Sequence, residues 1–170
     1  MPNLRSIYGW RTGDDESEPD PETNVFAKLV SRSCPVEYIE LRAPKLNMVN
    51  FRLLLGATIP GKLKTFNYEV GCTWAWCLTE HPKIMASLQL HHDTLESLGL
   101  SHEYYYPYEM GDESDKPSPC SFTPFVAIKR LKVAPVYVWG HLGFTDKARL
   151  KSLEAEEMLW KALPRNLEQL

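Results

Sequence analysis

Val49-Asn50-Phe51-Arg52-Leu53-Leu54-Leu55-Gly56-Ala57 sets an apolar side chain at every second position from 49 to 57. A period of two marks a strand with one buried face, so this stretch predicts the longest strand in the chain. Upstream, Ile39, Leu41 and Ala43 alternate with Glu40 and Arg42 over residues 36–43, which predicts a second strand of the same kind. Ile59-Pro60-Gly61 then breaks the run, because proline removes a backbone donor and glycine permits a turn.

Beyond this break the period changes. Phe66, Val70, Thr73 or Trp74, and Cys77 fall at helical spacing and predict a helix over residues 66–80. Pro82 suits the first turn of a second helix, along which Ile84, Leu88, His91, Leu95 and Leu98 step by four and three, with Gly99 placed as its C-cap. Tyr104, Tyr105, Tyr106 and Tyr108 suit a strand, and residues 125–133 and 136–142 predict two more, the second apolar enough to be central. Thr145 and Asp146 open a last helix with Ala155, Met158, Leu159, Ala162 and Leu163 as its buried stripe; Glu157 and Lys161 pair on its outside and Pro164 ends it. No internal repeat is visible. The expected architecture is α+β: a twisted antiparallel sheet with helices packed on one side.

At 170 residues, with 44% hydrophobic and 24% charged residues, the composition is that of one soluble globular domain. Residues 11–24 combine acids and prolines without a large apolar group, too little to offset the entropy of ordering. They predict a flexible acidic N-terminal arm over residues 1–24, ahead of a single α+β domain over 25–170. The arm sets Arg5 and Arg11 against six acids, and a second acidic loop spans residues 109–118, so the remaining body is mildly basic. Lys62 and Lys64 precede the first expected helix, Lys129, Arg130 and Lys132 lie on an expected strand, and Lys147, Arg149 and Lys151 lie in the last helix. These eight are candidates for contact with phosphates, weighed against an ordinary solvated surface. Leu4, Ile7, Tyr8 and Trp10 form a short apolar piece ahead of the acidic stretch, able either to pack back on the domain or to dock on a neighbouring molecule.

Chemical motifs are sparse. His91-His92-Asp93 offers three potential ligands, but adjacent residues diverge on a helix or a strand and do not converge on one ion. Cys72, Cys77 and His81 are a second candidate for zinc, although the two cysteines stand five apart on an expected helix, where such positions diverge. The four cysteines are too few for a disulfide framework and are expected to be reduced. Nucleophile elbows, phosphate-binding glycine loops and dinucleotide fingerprints are missing, which points to a non-enzymatic protein without a cofactor. No apolar run reaches the ~18–20 residues of a membrane span, and the first residues lack a secretory apolar block. A small zinc-binding regulator or metal-dependent enzyme using Cys72, Cys77 and His81 is the alternative, and an accessory inhibitor working through the acidic segments is a third.

The order of these elements resembles the matrix proteins of rhabdoviruses. The residues that carry the likeness are Phe51 through Tyr68, with the proline and the Thr65-Phe66 pair, then Cys72-Thr73-Trp74-Ala75-Trp76-Cys77, and Pro124-Phe125 leading through Trp139 to the helix after Thr145. The arm is acidic and lacks a Pro-Pro-x-Tyr motif, as in the compact matrix proteins of plant-infecting members. The resemblance implies a structural adaptor of the virion that self-associates and links a viral nucleocapsid, or ribonucleoprotein, to an anionic membrane for condensation and budding. It further implies a place in the virion, the host cytoplasm and at membranes, with Leu4, Ile7, Tyr8 and Trp10 as the self-association hook. Weak, non-specific RNA binding would accompany the basic residues.

Overall fold

The computed structural model describes residues 3–12, 22, 24–44, 46–70, 81–102, 119–140 and 153–170. Five strands, β1 (Ser6–Trp10), β2 (Tyr38–Arg42), β3 (Thr65–Val70), β4 (Ser97–His102) and β5 (Arg130–Val133), form one sheet in the order β1-β2-β3-β4-β5. Every neighbouring pair is parallel. Among the described residues four α-helices lie in the connections: α1 (Met48–Ala57), α2 (His81–Leu88), α3 (Pro135–Trp139) and α4 (Leu153–Ala162). The fold is therefore α/β, and the expected antiparallel α+β sheet is overturned. Each connection leaves the end of one strand and returns to start the next beside it, which a two-residue hairpin cannot do. Strand following strand in sequence order, one crossover per turn, is the topology of a solenoid.

The turns repeat a backbone device. The carbonyl of Arg5 accepts from the N–H groups of both Glu37 and Tyr38, that of Glu37 from Lys64 and Thr65, and that of Lys64 from Glu96 and Ser97. Glu96 does the same for Lys129 and Arg130, and Lys129 for Glu168 and Gln169, all at 2.8–3.1 Å. Arg130 also bridges Gln169 in parallel, so the chain's last residues lay a sixth rung beside β5. The side chains repeat with the backbone. Each rung has the pattern apolar-x-x-apolar-x-apolar: Val36, Ile39, Leu41; Leu63, Phe66, Tyr68; Leu95, Leu98, Leu100; Ile128, Leu131, Val133. Leu4, Ile7 and Gly9 begin the series, and Leu167 and Leu170 end it. Eleven of the twelve inner positions are buried in the core and Val133 packs against it.

The misread elements have specific causes. Residues 48–57 form α1 because Asn47 caps the first turn, its side chain accepting from the Asn50 N–H at 2.8 Å. Phe51 and Leu55, one turn apart, are fully buried, while Val49, which a strand would bury with them, is 56% exposed. Replacing Asn47 by Ala is expected to cost about 1 kcal/mol, read as a lower urea midpoint with an unchanged slope. Residues 66 and 70 share a face in a strand as well as in a helix; Tyr68, buried between them, decides for the strand β3. Residues 71–80 of the expected helix lie outside the described residues.

Ile84 and Leu88 bury as the helical spacing requires, but α2 ends there, and a 3-10 turn over Gln89–His91 leads to β4. Gly99, expected as a C-cap, stands inside β4. Residues 135–139 form a short helix: Pro135 supplies its first turn and the Gly140 N–H closes onto the Val136 carbonyl at 2.8 Å. Val136, Tyr137 and Val138 are buried all round, and a continuous apolar run has no period to tell helix from strand. In α4, Ala162 and the following Leu163 are buried and Lys161 pairs with Glu157 at 2.6 Å, as expected. The start of this helix at Thr145, and the tyrosines at 104–108, lie outside the described residues.

Candidate functional site

Parallel sheets are commonly covered on both faces. Here the inward side chains Ile39, Leu41, Phe66, Tyr68, Val70, Leu98 and Leu100 of β2 to β4 are buried, whereas their outward neighbours, Tyr38, Glu40, Thr65, Asn67, Glu69, Ser97, Gly99 and Ser101, keep contact with solvent, and Arg42 is exposed. The register sorts the open face into rows that cross the strands. One row runs Ser6, Tyr38, Thr65, Ser97, Arg130; the next runs Tyr8, Glu40, Asn67, Gly99, Lys132; the third runs Trp10, Arg42, Glu69, Ser101.

Each end of the face has its own chemistry. On β1, Tyr8 and Trp10 are 70% and 69% exposed, and the Tyr8 ring lies 5.0 Å from that of Tyr38. Arg11 sits over the Trp10 ring at 5.2 Å. In the middle, Glu40 accepts from the Tyr38 hydroxyl and from Arg42 Nε at 2.7 Å. The Tyr38 hydrogen bond, aided by Arg42, holds the Glu40 carboxyl below the usual carboxylate range against the effect of burial, and the same bond raises the Tyr38 hydroxyl. Asn67 lies over Gly99 so closely that a β-carbon there would come within 2.5 Å of its Oδ1; glycine leaves the room for that amide. A shallow depression of about 180 Å³ opens at this place, between Glu40, Arg42, Asn67, Glu69, Ser101 and Lys132.

Just before the strands, one residue per turn forms a charged row: Arg5, Glu37, Lys64, Glu96, Lys129 and, on the sixth rung, Glu168. The signs alternate without a break. Glu37 meets Arg5 at 3.1 Å and Lys64 at 2.8 Å, and Lys129 meets Glu96 at 3.8 Å. The hydrogen bond from Lys64, more than any other group, draws the Glu37 carboxyl down, and Glu37 in turn raises Lys64. Such exposed pairs add little stability, but they fix which charge faces which.

The residues singled out from the sequence are dispersed by this arrangement. Leu4 and Ile7 pack against the core, and Tyr8 and Trp10 stand on the open face. Of the basic candidates, Lys64 and Lys129 belong to the alternating row, Arg130 and Lys132 stand at the β5 end of the face, and Lys62 is exposed at the turn before β3. Lys147, Arg149 and Lys151 lie outside the described residues, as do Cys72 and Cys77. His81 is buried with its ring 4.2 Å from Tyr137. Among the described residues no three histidines, cysteines or acids come together as a metal site. Cys120 is buried and its thiol is pushed up to about 12 by that burial, a structural rather than a nucleophilic cysteine.

His91 is fully buried in the turn between α2 and β4. The Thr58 hydroxyl donates to the Leu55 carbonyl at 2.6 Å, so it accepts from His91 Nε2–H at 2.7 Å. This bond ties the end of α1 to the next turn. Burial lowers the imidazole from 6.5 to about 4, with Asp93 opposing weakly, which keeps it neutral. Among the described residues no helix is long and apolar enough to cross a membrane.

The sequence reading missed Asn67, Glu69, Gly99 and Ser101 as a group. The recurring six-residue pattern would have found Asn67 and Gly99, which are its last x positions, and the same alternation carried one residue further gives Glu69 and Ser101. Among the described residues, fold and face together define the class: a β/α solenoid with one sheet face in contact with solvent. No family model, no curated protein and no solved structure matches the chain.

Proposed function

We propose that this chain is a non-catalytic repeat scaffold, similar to leucine-rich repeats, whose open sheet face docks a protein partner. The observation that carries this reading is a parallel sheet that, among the described residues, buries one face and leaves the other in contact with solvent, with aromatic and charged side chains in ordered rows on it. Solenoids use such extended faces for binding, and the apolar pattern matches the L-x-x-L-x-L core of leucine-rich repeats, although the intervals of 27–39 residues reach beyond their usual ~20–29. Tyr, Trp and Arg are the side chains enriched in protein interfaces, and Tyr8, Trp10 and Arg42 lie together at the β1–β2 end.

The layout that carried the likeness to rhabdovirus matrix proteins is a different one: the stretch from Phe51 is a helix followed by a parallel strand. A phosphate surface fits the face less well than a protein does, because Lys64 and Lys129 are already opposed by Glu37 and Glu96. A photo-crosslinking residue in place of Asn67, Glu69 or Lys132 tests the proposal in extracts of the source cells. The expected result is a shared crosslinked protein from these three positions and none from Val49 or Arg52 on α1. Equal capture from α1, or none from the open face, would contradict it.

A further inference from the structure

The two ends of the solenoid match each other. Solenoids need polar terminal turns to remain apart, yet the large apolar side chains most exposed among the described residues gather in the first and last turns. Tyr8, Trp10, Val25 and Val30, 65% to 70% exposed, lie in the first turn, and Trp160 and Leu170, 66% and 64% exposed, in the last, ahead of Val49 and Val126 at 56%. An apolar depression of about 430 Å³ at the last turn is lined by Leu159, Trp160, Leu163, Leu167 and Leu170. Both ends also present strand edges. Among the described residues β1 has one strand neighbour, β2, and the rung at Gln169 has one, β5.

We propose that copies of this chain stack head to tail, the Glu168–Gln169 rung of one copy pairing in parallel with β1 of the next. Charge argues for this occupant. The row of alternating charges begins with Arg5 and ends with Glu168, so joining one copy to the next sets Glu168 beside Arg5 and carries the alternation across the junction. The apolar rows continue too, with Leu167 beside Leu4 and Leu170 beside Ile7 of the following copy. A two-fold pairing of β1 with β1 would bring Arg5 into the same interface twice and leave Leu170 and Trp160 uncovered. The head-to-tail contact uses two different patches, so it grows into a ring or an open filament rather than stopping at a dimer.

Backbone geometry supplies a selective test. In β5 the Arg130 N–H points back to the Glu96 carbonyl of the preceding rung and the Leu131 N–H points on to Gln169. By the same alternation Ser6 and Tyr8 send their N–H groups outward from β1, whereas Ile7 and Gly9 send theirs toward β2. Ser6→Pro therefore removes an outward donor from an edge strand and leaves the bonds to β2 in place.

Sedimentation velocity of the full chain over a concentration series, at low and moderate salt, reads the assembly. Wild-type protein is expected to grow with concentration, more at low salt. Glu168→Lys should weaken association about tenfold at low salt, the size of effect expected when an exposed attractive pair becomes a repulsive one, and Ser6→Pro should leave a monomer with an unchanged circular dichroism spectrum. A wild-type monomer throughout overturns the proposal. So does a dimer of fixed size that Ser6→Pro dissolves and Glu168→Lys leaves intact, which would mean β1 pairing with itself. If Ser6→Pro unfolds the chain, Glu168→Lys decides alone, since its side chain is exposed.

Discussion

Phe66→Ala is expected to lower the unfolding free energy by about 3–5 kcal/mol, enough to unfold a marginal domain. Phe66 is fully buried in the middle strand of the sheet, edge-on to Phe51 of α1 with ring centroids 5.9 Å apart and stacked beside Tyr68 at 6.1 Å. Removing the ring leaves a cavity between sheet and helix that the rigid backbone ladder on both sides prevents from closing. Thr65→Ala, one residue away, faces the other side and should shift stability by less than about 0.5 kcal/mol. Chemical denaturation of the two variants checks the contrast. Equal effects would mean that β3 does not have one core face and one open face.

Acid is expected to remove roughly 3 kcal/mol through His91, taking 1.36 kcal/mol for each unit of pKa between 6.5 unfolded and about 4 folded. The sign follows from which state binds the proton. In the unfolded chain the imidazole protonates as pH falls through 6.5, while in the folded chain it stays neutral down to about 4. Between these values the unfolded state holds more protons, so this contribution to stability is complete above pH 6.5, shrinks as pH falls, and is gone below about 4. The physical cause is a charge that would have to form in a fully buried site already fixed to Thr58. In His91→Gln, which can keep a donor toward Thr58, the same decline should be absent. Denaturant midpoints of the two proteins at pH 7.5 and 5 check it; parallel curves would show that His91 is accessible to protons in the folded state.

Several local features were legible in the sequence. Residues 36–43 read correctly as a strand because Ile39 and Leu41 are inward and Glu40 outward, and Ile84 with Leu88 read correctly as a helix face. Two ambiguities misled the rest. Apolar residues at 49, 51, 53, 55 and 57 satisfy a period of two, yet Phe51, Leu54 and Leu55 also form a helix face, and the cap at Asn47 selects the helix. Phe66 and Val70 satisfy both periods in the opposite sense. With helix and strand exchanged over 48–70, a chain of crossovers looked like a chain of hairpins.

The repeat itself was concealed by variation in both residue and spacing. Its inner positions hold Val, Ile, Leu, Phe, Tyr and Gly, and its intervals of 32, 27, 32, 33 and 39 residues defeat any search at a fixed period. The open face is invisible from composition, because its members, such as Asn67, Gly99 and Ser101, are ordinary loop residues when read singly. The register across the strands makes them neighbours.

Thiol labelling along β3 and β4 addresses the exposed face most directly. Cysteine is placed singly at Thr65, Phe66, Asn67, Tyr68 and Glu69, and at Ser97 and Ser101, in a background with the native cysteines replaced by serine or alanine, and the rate of reaction with a small maleimide is measured in the folded protein. An exposed sheet face requires fast reaction at 65, 67, 69, 97 and 101 and slow reaction at 66 and 68. A rise and fall every three to four residues, or uniformly slow reaction, would contradict it.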